Sequence, residues 1–265
     1  EPIADALVAT GSAYTRTDRS GEFQLGDADV SNGLIVNAPG YARQVLPAAT
    51  GMAITLERLD IKAAYLNGNR AGDEEFVDHL IGLIERTELN AIVIDIKEID
   101  VFYDTQVQFF RDANAVTPTY DAVALVKRFH DAGIYTIARQ VVFKDPLVAE
   151  AYPDLAVKDE TTGEVWRGWQ DDAWVNPFQK ELWQPNIDMA LEAIGFGFDE
   201  IQYDYIRFPS DGDLSTADFG PRYDEESRVS TIVEFLTQTR EAIAPTGTAT
   251  PRPATSASPT APGRS

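Results

Sequence analysis

From about residue 60 onward the chain repeats one pattern four times: a short apolar run, then a stretch with helical spacing. The apolar runs are Ile61–Leu66, Ala91–Lys97, Ile134–Phe143 and Glu200–Phe208. After the first, Asp73 is placed as an N-cap, and Phe76, Leu80, Leu83 and Ile84 recur at i, i+4, i+7 and i+8. After the second, Ala122, Leu125, Val126 and Phe129 share a face until Gly133 ends the helix. A helix over about Gln179–Ile194 follows the third, with Pro185 marking a break or restart. A last helix, about Asp224–Ile243, carries Val229, Ile232, Val233, Leu236 and Ile243 as its expected buried stripe. Strands separated by helices cannot pair as hairpins, so the pattern predicts right-handed βαβ crossovers and a parallel sheet. The nearly unbroken apolar run AIVIDIK fits a strand buried on both faces.

Both ends differ from this middle. Residues 1–57 read as short strands between turn residues, with Ala4–Thr10, Ala13–Thr17, Glu22–Leu25, Leu34–Ala38 and Met52–Leu56 as strands and Asp18–Gly21 as a turn. This predicts a small β-sandwich, followed by an α/β domain over 58–243. Residues 244–265 hold no Val, Ile, Leu or aromatic residue. Such a tail cannot offset its ordering entropy by burial and is read as disordered, either a linker or a replacement for a fifth strand.

Composition removes several functions. Forty-three acidic against 22 basic residues give a net charge of −21, which repels phosphate backbones, so no nucleic-acid partner is expected. Without cysteine there are no disulfides, thiolate metal sites or cysteine nucleophiles. His79 and His130 lie in helices with no ligand at metal spacing, and no metal or cofactor is expected. No apolar run is long enough for a transmembrane segment. No signal peptide is read at Glu1, as in a mature form or an excised fragment.

Chemistry in parallel α/β sheets gathers at the carboxyl ends of strands. Here three strands end in acids beside cations: Asp95 with Lys97, Arg139 with Lys144 and Asp145, and Asp204 with Arg207. The two-residue period puts Asp95 and Lys97 on one face, and Gln202 and Asp204 on another, so in a barrel Asp95 and Asp204 converge. Paired carboxylates suit glycoside hydrolysis, with Asp204 and Asp95 as candidate catalytic residues. The competing reading is a set of strand-end salt bridges. Trp166, Trp169, Trp174 and Phe178 crowd a loop that also holds Asp171, Asp172 and Asn176. Flat rings beside polar groups suit sugars, and the alternative is a loop with its own small core. Trp183 is read as core. Candidate substrate contacts are Lys97, Arg139, Asp145, Trp169, Trp174, Asn176, Tyr203, Tyr205 and Arg207.

The stretches KAAYLNGNRAG, NAIVIDIKE, IARQVVFKDP, WVNPF and QYDYIRFPSDG resemble the putative glycoside hydrolase domain family of bacteria, once classed as a domain of unknown function. The resemblance spans residues 60 to about 243. It implies a TIM-barrel glycosidase fold, a carbohydrate partner, and a strand-end site in which Asp95, Asp145, Asn176 and Asp204 match family motifs, Asp204 by analogy as nucleophile. An extracellular or cell-envelope setting is expected with it. TRTDRSGEFQL, APGY and AITLE are similar to carboxypeptidase-regulatory-like (transthyretin-like) modules. A TIM barrel needs eight strands and this chain offers four, so the expectation is a truncated product or an open half barrel. An exposed sheet edge would then invite self-association, and the chain would act as a hydrolase or, alternatively, as a non-catalytic glycan-binding module.

Overall fold

The computed structural model describes residues 1–10, 13–26, 29–31, 33–38 and 40–246, with the backbone alone for 249–253. The N-terminal strands β1 (Leu7–Thr10), β2 (Ala13–Arg16), β3 (Leu34–Asn37) and β4 (Gln44–Leu46) form one antiparallel sheet in the order β2-β1-β3-β4. Val8, Leu34, Val36 and Leu56 make its small core, with Phe23, Leu25, Met52 and Ile54 packed against them. Glu22–Leu25 and Met52–Leu56, expected as strands, lie outside the sheet, and Gln44–Leu46 takes the edge place in their stead. Among the described residues this module holds one sheet, so the second sheet of the expected sandwich is not seen. The Asp18–Gly21 turn forms as expected: Asp18 Oδ1 accepts from the Ser20 and Glu22 amides, and Gly21 takes φ +77°.

Pairing of 40–42 with 57–59 carries the module to Leu59. From Asp60 the chain belongs to the second part, because Asn90 bonds both the Asp60 carbonyl and the Lys62 amide. This part contains β5 (Ala63–Leu66), α1 (Glu74–Glu85), β6 (Ala91–Lys97), α2 (Gln108–Asp112), α3 (Ala122–Asp131), β7 (Tyr135–Val141) and α4 (Pro146–Ala151). It continues through β8 (Lys158–Asp159), α5 (Trp183–Gly195), β9 (Glu200–Asp204), β10 (Ala217–Asp218), α6 (Glu225–Ile243) and β11 (Ala249–Pro253). Asp73, Asp121, Asp145 and Asp224 each accept the N3 amide of the helix they open. Pro185 is the third residue of α5, where a missing N–H breaks no helical bond, so the helix restarts at Trp183 and runs on.

Strands β5, β6, β7, β9 and β11 form one parallel sheet in chain order, without a reversal. Right-handed crossovers that always step the same way place their helices on a single face, as in a barrel and unlike a doubly wound sheet. Contacts agree with this. Thr136 meets His130 of α3, Gln140 bonds Asn186 of α5, and Tyr203 stacks on Phe235 of α6 at 5.3 Å. The opposite face carries Tyr65, Val93, Asp95, Ile137, Arg139, Gln202 and Asp204 by register.

Two expectations fail for definable reasons. The buried seam of α6 is Thr231, Phe235, Thr239 and Ile243, while Val229 and Val233 are 61% and 55% exposed. Threonine suits this seam because its hydroxyl bonds back along the helix, as Thr239 Oγ1 does to the Phe235 carbonyl at 3.0 Å. The tail also departs from disorder, since the backbone of Ala249–Pro253 runs parallel to β9 at the sheet edge. An edge strand tolerates Pro251 and Pro253, whose missing N–H groups a central strand would need. Of the rest of the expected disordered tail, Ala244–Thr246 form a short 3₁₀ turn after α6, and 247–248 and 254–265 lie outside the described residues.

Candidate active site

The fourth parallel strand stops sooner than its composition suggests. Tyr205 adopts a left-handed conformation, φ +51°, which ends β9 at Asp204 and turns its own amide onto Asp204 Oδ1 at 2.8 Å. A non-glycine residue held this way is strained, and such strain concentrates at functional positions. One register row over, Arg139 of β7 reaches both ways. Its Nη1 donates to Asp95 Oδ1 at 2.7 Å, and its Nη2 and Nε donate to Asp204 Oδ2 at 2.7 and 2.9 Å. One guanidinium thus clamps the two carboxylates expected to converge. Burial opposes the charge on Arg139, but the hydrogen bonds and charges of Asp95 and then Asp204 outweigh it and raise its pKa above the ordinary arginine value.

The two acids are not equivalent. Asp95 is fully buried; its Oδ2 accepts from the Tyr65 hydroxyl and, at 3.4 Å, from Asn67 Nδ2. Its backbone carbonyl is held by the Tyr120 hydroxyl at 2.9 Å. The Asp204 side chain remains 26% exposed. Burial first, and then the hydrogen bond to Asp95, push the Tyr65 hydroxyl up to about 12. Tyr65 and Asn67 were not among the residues expected at the site. Both lie in the KAAYLNGNRAG stretch, at the end of β5 beside the Asp95 row.

A second cluster lies behind the first. Lys97 Nζ is wholly buried against Asp145 Oδ2 at 2.8 Å and also donates to the Val141 carbonyl at 3.1 Å. Asp145 uses its other oxygen to cap α4 through the Val148 amide. The expected alternation of Asp95 and Lys97 is interrupted by a register shift between them, which diverts Lys97 into this pair. Lys97 and Asp145 therefore brace the strand ends and have no surface to offer a substrate. Asn176 is likewise buried and structural, donating to the Phe219 carbonyl and accepting from the Phe178 amide. Tyr203 faces the helices and bonds the Asn186 carbonyl, because it is one residue out of phase with Asp204. These four are corrections to the expected set of substrate contacts.

The tryptophan loop divides. Trp166 and Trp174 are buried, with indole N–H groups on the Asp213 carbonyl and Asp172 Oδ2. Trp174 is covered by the Tyr205 ring at 5.8 Å and the Arg207 guanidinium at 4.9 Å, so it lies beneath these two residues and not at the surface. Trp169, at the tip of the turn closed by the Arg167–Ala173 bridge, is 80% exposed. Lys144 pairs with Asp172 at 3.0 Å and lies over the Tyr205 ring at 5.1 Å. Burial disfavours the Asp172 charge, yet the Lys144 and Trp174 hydrogen bonds outweigh it and hold the carboxyl below its ordinary value. Glu98, which follows β6, is half-buried, and its carboxylate has no partner among the described residues.

A family model described as "putative glycosyl hydrolase domain" matches residues 63–251, from the start of β5 into β11. The chain belongs to this family. It is similar, at 39% identity and a TM-score of 0.61, to a crystal structure of a hypothetical protein from Ruminiclostridium thermocellum, over 67% of this chain and 90% of that one. Two more distant likenesses are a dextranase from Flavobacterium johnsoniae (14% identity, TM-score 0.43) and an α-galactosidase from Thermus thermophilus (13%, 0.46). They involve 68% and 69% of this chain, which spans only 23% and 38% of those proteins. No curated protein matches the sequence. The candidate site groups Asp204, Arg139, Asp95, Tyr65 and Asn67 in one hydrogen-bonded cluster, with the Tyr205 amide on Asp204.

Proposed function

We propose that this family member is a glycoside hydrolase acting on a polysaccharide outside the cell or in its envelope, on a sheet that follows the plan of an open (β/α) barrel. The observation that carries this reading is the Asp95–Arg139–Asp204 bridge on the helix-free face, in which Asp204 is the one carboxylate of the two reachable from solvent. Asp204 is the reactive carboxylate, as nucleophile or as stabiliser of an oxocarbenium-like transition state. Arg139 and the Tyr205 amide fix its orientation while leaving lone pairs free. Asp95, enclosed by Arg139, Tyr65 and Asn67, is a positioning residue that holds the guanidinium in place. Of the two expected catalytic carboxylates it is thus the one with no access to solvent, and β11, the fifth parallel strand, carries no carboxylate. The proton donor we assign is Glu98, the unpartnered carboxylate at the end of β6.

The test is hydrolysis of a panel of chromogenic glycosides and polysaccharides by the chain and its Asp204→Asn and Glu98→Gln variants. Cleavage lost in the first and reduced roughly 10²- to 10⁴-fold in the second, most sharply for poor leaving groups, is the expected result. Cleavage that survives Asp204→Asn would remove the assignment. One observation favours a second reading, glycan binding without turnover: the Trp169 ring stands in solvent at the tip of its turn and stacks a sugar without needing a carboxylate. Binding across the panel with no cleavage would select it.

A further inference from the structure

We propose that Arg207 is the receptor for an oxyanion carried on a sugar ring, a carboxylate or a sulfate ester, so that the glycan taken at this site is acidic. The proposal rests on the hydrolase reading for the sugar and adds its charge class.

The strand-end cations fall into two kinds. Lys97 is neutralised by Asp145, Lys144 by Asp172, and Arg139 by Asp95 and Asp204 together. Arg207 is exposed and has no ion pair among the described residues. An unmatched cation beside a candidate nucleophile is not what composition favours in a chain with 43 acids and 22 bases. Surface arginines find carboxylates readily on such a background, yet the polar partners of Arg207 are the Phe208 carbonyl and Ser210 Oγ.

The guanidinium is also set in advance. Its plane is supported by the Trp174 ring at 4.9 Å and the Tyr205 ring at 5.5 Å. Nη1 donates to the Phe208 carbonyl at 3.1 Å and to Ser210 Oγ at 2.7 Å. Nε and Nη2 have no acceptor among the described residues, which leaves a two-pronged edge of the kind that grips carboxylate or sulfate. Tyr205, which carries one face of this arginine, is the same residue whose amide bonds Asp204. The sugar platform is close as well. A Cβ on Gly212 would lie 3.0 Å from the Gly168 Cα and 2.6 Å from the Trp166 ring, so the turn that exposes Trp169 sits on the segment just after Arg207. The turn that bears the exposed ring is thus packed on the segment that follows the cationic fork.

The molecule's own charge makes the test sharp. A chain at −21 repels polyanions at long range, so retention of one cannot come from diffuse attraction. The intact chain is titrated calorimetrically, at about 0.15 M salt, with polygalacturonate, with its carboxyl-reduced counterpart, and with dextran sulfate. The expected result is binding of at least one acidic polymer, the one bound telling carboxylate from sulfate. Arg207→Gln should weaken that binding at least about tenfold, and Arg207→Lys should restore it in part, since a lysine keeps the charge and loses the fork. All titrations are run well below each variant's melting transition, since both substitutions also alter the contacts to Trp174, Tyr205, Phe208 and Ser210. No binding of either acidic polymer, wild-type affinity in Arg207→Gln, or equal affinity for the carboxyl-reduced polymer would overturn the proposal. Asp204-dependent cleavage of a neutral glycan, with both acidic polymers ignored, would remove this inference and leave the hydrolase reading standing.

Discussion

Asp95 and Asp204 share one arginine and differ in what they would cost to change. Replacing Asp95 by Asn removes a charge from a fully buried bridge and should destabilise the chain by about 3–5 kcal/mol, with turnover falling alongside. Asp204→Asn should leave the melting temperature nearly unchanged and abolish turnover, a contrast that thermal melts and single-turnover assays read directly. Asp172 gives a pH signature. Its folded pKa is lowered, so its contribution is fully present above about pH 4 and is lost as pH falls through the folded value. The stability gap between wild type and Asp172→Asn, measured by urea melts at successive pH values, should therefore be constant from neutrality to about pH 4 and close below it. Much of this site was legible as residues: strand-end acids beside cations pointed to Asp95, Arg139 and Asp204. The roles were not, because which oxygen is enclosed depends on Tyr65 and Asn67 from a neighbouring strand. Lys97 was misplaced because a two-residue period cannot foresee a register shift.

At the level of elements, α6 shows how sequence patterning can name a helix and misplace the centre of its buried face. Apolar counting selects Val229, Ile232, Val233, Leu236 and Ile243; Ile243 is buried and Ile232 and Leu236 pack against the core, but Val229 and Val233 are exposed and the seam centres on Phe235 between two threonines. Phe235 is wholly buried, between Phe143, Trp183 and Tyr203. Phe235→Ala should cost about 3–5 kcal/mol, while Val233→Ser should stay within about 0.5 kcal/mol of wild type, as chemical denaturation will show. The strands were easier to find, since long apolar runs bounded by turns have few alternatives. Their ends were not, and Tyr205 shows why: a left-handed residue that stops a strand looks like any other aromatic in the run. Gln44–Leu46 was missed for the opposite reason, being three residues long and half exposed.

Across the whole molecule two apolar cores stay separate, one under the antiparallel sheet and one between the parallel sheet and its helices. A third, small cluster, Leu7 and Ala9 of β1 with Ala244 just past α6, bridges the two parts, and an Asp5–Arg240 ion pair also links them. Ala244→Glu would push a charge into that contact. Calorimetry should then show the transition of the N-terminal sheet falling by several degrees, at roughly 4–8 °C per kcal/mol for a unit of this size, with the other transition in place. A single transition shifting as a whole would mean that the two parts unfold as one.

The unreversed order of the parallel sheet also bears on how the chain is made. Each strand from β5 to β11 pairs with the one synthesised before it, apart from the two-residue excursions β8 and β10. Every pairing can therefore close as soon as its second strand leaves the ribosome, with no strand held open for a partner still to come. Arg139 can find Asp95 before β9 exists, and the arrival of Asp204 completes a clamp that is already half built.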